Sequence, residues 1–151
     1  MKKIYYGKAV YDNKEINAVL NVLKKNSLSL VDGQNVKKLE KTVAKLFGKK
    51  YGLMVNSGSS ALLLAMEVLN LPKGSEVITP SLTFSTTVSY IVRNGLIPVF
   101  VDVREGTYCI NEDHILNKIT KKTKAIVAPH LMGNIVNWQK IYKVLKKKNI
   151  L

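Results

Sequence analysis

The stretch from Tyr51 to Met66, YGLMVNSGSSALLLAM, constrains this chain more than any other. Residues 52–55 form a short apolar run. Asn56-Ser57-Gly58-Ser59-Ser60 breaks it, and a leucine- and alanine-rich segment follows at once. That order predicts a buried strand, a tight turn and a helix N-terminus. The first N–H groups of a helix have no partner within it, and the helix dipole makes that end positive. Such an end is suited to hold an anion, above all a phosphate. Gly58 lets the chain turn and lets a ligand approach the backbone, and Ser59 and Ser60 add hydroxyl donors. Serines at a helix start also serve as N-caps with no ligand at all. The turn matches neither G-x-x-x-x-G-K-S/T nor G-x-G-x-x-G, so a phosphate bound here is not held by either of those loops.

The rest of the chain alternates in the same way. A helix is predicted over 13–25, with Ile16, Val19, Leu20 and Leu23 on one face. A second is predicted over 34–47, with Val36, Leu39, Val43 and Leu46 on one face and Gly48 as its stop. The segment 59–69 is apolar around most of its circumference, which predicts burial on most sides. Strands are expected over 76–79, 97–103 and 124–128, and 150–151 reads as the opening of another. The run IPVFVDV is nearly all apolar, as inside a parallel sheet. Helices over 84–93, 112–119 and 138–148 separate these strands, the last with Trp138, Ile141, Tyr142 and Leu145 inward. The alternation argues for an α/β fold, a mainly parallel sheet between two helix layers. Ligands of such folds bind beyond the strands' carboxyl ends, and the segments 56–60, 80–84 and 129–134 fall there. A strand opening at Leu151 leaves the sheet unfinished, so the chain is expected to be a truncated domain.

Composition narrows the function. With 151 residues, 46% of them hydrophobic, the chain has room for one globular domain. Its first residues lack the apolar core of a secretory signal, and no run is long enough to span a membrane. Cys109 is the only cysteine, which excludes an internal disulfide and a cysteine-based zinc site; no metal is expected. These features together predict a cytoplasmic protein. The net charge of +14 invites a nucleic-acid reading. Yet of the 24 basic residues only Arg93 and Arg104 are arginine, and the lysines are spread over helix faces and ends. Base readout and bidentate phosphate contacts favour arginine, so neither nucleic acid nor membrane is expected as a partner. A basic surface still attracts a phosphorylated or nucleotide-linked molecule.

Several short motifs, weak singly, are specific in their order and spacing. They are Val31-Asp32-Gly33-Gln34-Asn35-Val36 with Leu39-Glu40, then Asn56-Ser57-Gly58-Ser59-Ser60-Ala61-Leu62, then Gly74-Ser75-Glu76-Val77-Ile78-Thr79-Pro80 with Thr83-Phe84. Further along come Gly95-Leu96-Ile97-Pro98-Val99-Phe100-Val101-Asp102-Val103, Thr123-Lys124-Ala125-Ile126 and His130-Leu131-Met132-Gly133. Over nearly its whole length the chain resembles the N-terminal part of the large domain of the DegT/DnrJ/EryC1/StrS family. These are pyridoxal-phosphate-dependent sugar aminotransferases with the aspartate-aminotransferase (type I) fold.

The resemblance implies a cofactor and a site. Pyridoxal 5′-phosphate would have its phosphate on the turn at Gly58, held by the amides of Ser59 and Ser60. Phe84 would stack on the pyridine ring, although a phenylalanine at a helix start is on its own a core residue. His130 would lie near the site, although a lone histidine more often has a structural hydrogen-bonding role. Thr83, Gly133 and Asn134 would shape the pocket, and Asp102 would be structural. The family's aspartate for the pyridine nitrogen and its Schiff-base lysine belong to segments that this sequence does not contain. No lysine here sits in a matching motif, so no catalytic residue is assigned, and the chain alone is expected to lack activity.

A full-length member would be a homodimer moving an amino group from an amino acid such as glutamate to a nucleotide-linked keto-sugar. Its product would serve cell-surface glycans. One alternative is a sugar-nucleotide 3-dehydratase of the same family, in which a histidine replaces the lysine. Another is a non-catalytic, phosphate-binding remnant.

Overall fold

A computed structural model describes residues 3–5, 7–25, 30–148 and 150–151, and for Val144 and Lys147 the backbone alone. The chain forms two compact units, Met1–Met54 and Val55–Leu151.

The first unit carries helices α1 (Asn13–Lys25) and α2 (Gln34–Leu46). Asp12 and Glu15 start α1 reciprocally. Asp12 Oδ1 accepts from the Lys14 N–H at 2.6 Å, and Glu15 Oε2 accepts from the Asp12 N–H at 2.8 Å. Gly48, at φ +62°, ends α2 as expected. Lys49 N donates to Ala44 O and Gly48 N to Lys45 O, the paired bonds that such a left-handed stop makes. Within this unit the apolar faces are open. Ile16, Val19, Leu20 and Leu23 are exposed, and Ala44 is the one buried residue of α2.

The strand expected over 52–55 does not form, and residues 52–54 are exposed. A strand needs a neighbour to take its N–H and C=O groups, and no strand among the described residues pairs with it. In the first unit the segment follows α2 instead. The Met54 N–H donates to Glu40 Oε1 at 2.8 Å, and Gly52 lies so close that a Cβ there would meet Glu40 O at 2.6 Å.

The second unit is a three-layer α/β/α sandwich. Its elements are α3 (Gly58–Val68), β1 (Glu76–Pro80), α4 (Ser85–Arg93), β2 (Ile97–Val101), α5 (Glu112–Ile115), β3 (Thr123–Ile126) and α6 (Trp138–Lys148). The three strands are parallel in the order β2-β1-β3, so β1 is central. Side chains alternate across β1. Val77 packs with Met66 of α3, Ile91 of α4, Leu96 and Ala125. Ile78 packs on the other face with Val101, Ile110, Ile115, Val136, Ile141 and Leu145, which brings α5 and α6 to that side.

Both edges of the sheet are informative. Ile97 N donates to Ser75 O, and Ser81 N to Val101 O. Odd-numbered residues of β2 therefore bond to β1, and Pro98, with no N–H to give, sits where only the open edge is affected. At the other edge Leu151 N donates to Lys124 O and Leu151 O accepts from Ile126 N, both at 2.9 Å. These are the slanted bonds of parallel pairing, as the strand reading of 150–151 requires.

Two burial expectations fail. Within its unit α3 buries only Met66, which packs with Val77, Ile91, Leu96 and Ala125. Tyr142 is 63% exposed: Ile141 and Leu145 point to the core of α6, and Tyr142 lies over the tilted Trp138 ring.

Thr79, fully buried on the Val77 face, has a hydroxyl with no hydrogen-bond partner among the described residues. An unmet buried hydroxyl costs free energy that a methyl does not. Thr79→Val should raise the unfolding free energy by about 1 kcal/mol, read from urea denaturation. A loss of that size would mean that the hydroxyl has a partner in solution.

Candidate functional site

The topology gathers the sequence-marked residues at one end of the second unit. A helix that feeds a strand through a tight turn runs antiparallel to it, so α3 has its N-terminus at the carboxyl end of β1. The chain leaving β1 passes through residues 81–84 into α4, and the chain leaving β3 reaches His130.

Ser57 is the N-cap of α3, in extended backbone at φ −160°, ψ 159°. Its Oγ accepts from the Ser60 N–H at 3.1 Å, and the Ser60 hydroxyl donates to Asn56 Oδ1 at 2.6 Å. The cap reading thus holds for Ser57, and the expectation for Ser60 is corrected: its N–H, read as a phosphate donor, is already taken by Ser57 Oγ. The N–H groups of Gly58 and Ser59 have no acceptor among the described residues. A Cβ at Gly58 would meet open space. What faces outward is a helix start with free donors at its positive end, room beside them and no acidic residue in the first turn.

Phe84 stands at the N-cap of α4 and is 71% exposed, so it is not a core residue of this unit. Thr83 Oγ1 donates to Thr87 Oγ1 at 3.1 Å behind it. His130 is exposed and its Nδ1 accepts from the Val136 N–H at 3.0 Å, which leaves the ring proton on Nε2. Its ring meets Trp138 edge-on at 6.4 Å between centroids. Met132 and Gly133, both at positive φ, shape the turn that follows, and the Asn134 side chain donates to Thr107 O. Asp102 is exposed, and its Oδ1 accepts from the Val103 N–H at 2.8 Å.

Sequence reading missed the groups that hold this loop from outside. Arg104 Nη2 lies 3.0 Å from both Glu112 Oε2 and Asp113 Oδ2, and Lys140 pairs with Asp113. The other oxygen of Glu112 accepts from the Asn137 N–H at 2.9 Å. The cue was Asn111-Glu112-Asp113, a helix-start signature in which Asn111 takes the Asp113 N–H. Its long-range partner was not visible in sequence.

Burial pushes the Glu112 carboxyl up, but the N–H of Asn137, its own N–H and the Arg104 guanidinium outweigh burial and hold it below the usual carboxylate range. A group whose folded value lies below its unfolded one stabilises the fold above the unfolded value, about 4.3 for glutamate. That contribution is lost as pH falls through the folded value. The stability gap between the native chain and Glu112→Gln should therefore narrow on acidification below about pH 4.3, measured by urea midpoints at stepped pH. A gap that does not change would show that Glu112 gains nothing from its partners.

The fold defines the class: a parallel α/β protein of the kind whose ligands lie beyond the carboxyl ends of the strands. The pattern of the DegT/DnrJ/EryC1/StrS aminotransferase family matches residues 10–151, and the chain belongs to that family. It is 38% identical over 148 residues to a GDP-4-keto-6-deoxy-D-mannose 3-dehydratase of Yersinia pseudotuberculosis, covering 94% of this chain and 37% of that protein. Among solved structures it is similar to a GDP-4-keto-6-deoxymannose-3-dehydratase with a trapped PLP-glutamate geminal diamine. There the TM-score is 0.91 at 34% identity, over 99% of this chain and 40% of that one. It is also similar to the aminotransferase from Psychrobacter cryohalolentis, with a TM-score of 0.85 at 33% identity, over 93% and 36% of the two chains. The chain thus spans less than half the length of the relatives it matches.

Proposed function

We propose that this chain supplies the phosphate- and ring-binding side of a pyridoxal 5′-phosphate site, in an enzyme that aminates a nucleotide-linked keto-sugar. The observation that carries the reading is the start of α3. Gly58 and Ser59 present free N–H groups beside open space, at the same end of the sheet as the exposed ring of Phe84. The residues present fit the cofactor: two backbone donors for a phosphate and an aromatic face for a flat ring.

When bound, the cofactor supplies an electron sink for carbanion chemistry. The chain's own contribution is to bind and orient. Gly58 and Ser59 hold the phosphate by their N–H groups. Phe84 limits tilt of the ring. His130 offers a proton donor at Nε2, its Nδ1 being taken by Val136. The amino donor, such as glutamate, the homodimer, the cytoplasmic setting and the service to cell-surface glycans belong to the same proposal. A second reading, 3-dehydration of such a sugar, is favoured by the likeness to the GDP-4-keto-6-deoxymannose dehydratases.

The test is calorimetric titration with pyridoxamine 5′-phosphate, chosen because an aldehyde would react with the many surface lysines. Saturable binding that unphosphorylated pyridoxamine lacks is expected. Equal binding of the two, or none, rejects the phosphate site.

A further inference from the structure

We propose that Glu112, paired with Arg104, is the positioning residue for the 130–137 loop and, through it, for the imidazole of His130. The functional meaning of this rests on the cofactor reading above; the brace itself does not.

The loop is costly on its own. Met132 adopts φ +52° although it carries a side chain, and Gly133 follows at φ +84°. Glycine takes such a φ freely, but a left-handed residue with a side chain persists only where its surroundings over-determine it. Those surroundings come from the segment 104–113. Thr107 O accepts from Asn134 Nδ2 at 3.0 Å, the Cys109 thiol donates to Asn134 O at 3.3 Å, and Glu112 Oε1 accepts from the Asn137 N–H at 2.9 Å. Of these acceptors only Glu112 carries charge, and its side chain is 8% exposed. Arg104 holds its second oxygen at 3.0 Å.

The Asn137 contact is more than an ordinary helix cap. Asn137 already caps α6 through its own side chain, which accepts from the Lys140 N–H at 3.1 Å. In a capping box the N–H of the capping residue is taken by a glutamate or glutamine three residues on. That place is Lys140, which has no acceptor to offer, and Glu112 fills the role from 25 residues away. One residue before Asn137, the buried Val136 N–H donates to His130 Nδ1. The carboxylate thus fixes the backbone that fixes the imidazole and its tautomer.

The test uses the full chain without cofactor. Amide hydrogen exchange is read at Val136 against Ile78 in the core, with the His130 side-chain nitrogen signals as a second readout. Glu112→Ala should speed exchange at Val136 about tenfold relative to Ile78 and mix the His130 tautomers. Glu112→Gln keeps an oxygen for Asn137 and should restore most of both. Should Glu112→Ala not fold, Arg104→Ala takes its place with the same ratio read. Unchanged Val136 exchange, with the Nε2–H tautomer kept, overturns the proposal. A native chain that keeps this exchange pattern but does not bind pyridoxamine 5′-phosphate would reject the cofactor reading and leave the brace standing.

Discussion

Gly58→Pro weakens the binding of pyridoxamine 5′-phosphate by about 10- to 100-fold and leaves the fold intact. The expected loss is that of one charge-assisted hydrogen bond, about 1.5–3 kcal/mol. Proline removes one free N–H of the α3 start and adds no acceptor. Few positions accept it so readily. Gly58 is the first helical residue, where the N–H has no helix partner and a fixed φ suits the helix. Ser57 before it is already extended at ψ 159°, as a residue preceding proline must be. The ring enters space where a Cβ meets nothing. Proline also restricts the unfolded chain, so the thermal midpoint should hold or rise. Weaker binding with an unchanged midpoint isolates the amide donor from stability. Unchanged binding would mean that the phosphate is held elsewhere, and the site at the helix start would be lost as a hypothesis.

Much of this was legible in the sequence, and the failures share a physical cause. Helix positions, the glycine stop at Gly48 and the strands at 76–80, 97–101 and 123–126 are set by local periodicity and turn chemistry, which the sequence carries directly. Residues 52–55 read as a strand by composition, but strand pairing is a non-local event and no described strand pairs with them. The burial forecast for α3 failed for the same reason. An apolar circumference states what a helix tolerates, and the neighbours decide what is covered.

The site divides similarly. The turn at 56–60 was visible from its small residues ahead of a leucine- and alanine-rich run, whereas the ring of Phe84 was marked only by the resemblance to the family. The link from Glu112 to Asn137 spans 25 residues and joins two helix starts, a relation that no local pattern encodes. Arg104 stood out in sequence only as one of two arginines among many lysines. In the fold its Nη2 alone meets both Glu112 and Asp113, contacts that no local pattern announces.

Ile78→Ala carries the largest expected loss of stability, about 2–5 kcal/mol by urea denaturation. Ile78 lies on the central strand and is fully buried. It shares one core cluster with Val101 of β2, Ile126 of β3, Ile115 of α5 and Ile141 of α6, so truncation loosens a core to which every element on that face contributes. Parallel strands on both flanks fix the backbone of β1 by hydrogen bonds, and the strand cannot sink to fill the gap. A site that cannot collapse keeps its cavity, and the cost lies toward the upper end of the range. The substitution changes nothing on the Val77 face, where α3 packs, so pyridoxamine 5′-phosphate affinity at a temperature well below the midpoint should be unaffected. A loss under about 1 kcal/mol would instead place Ile78 in a yielding environment, and the central position of β1 in the packed sheet would fall with it.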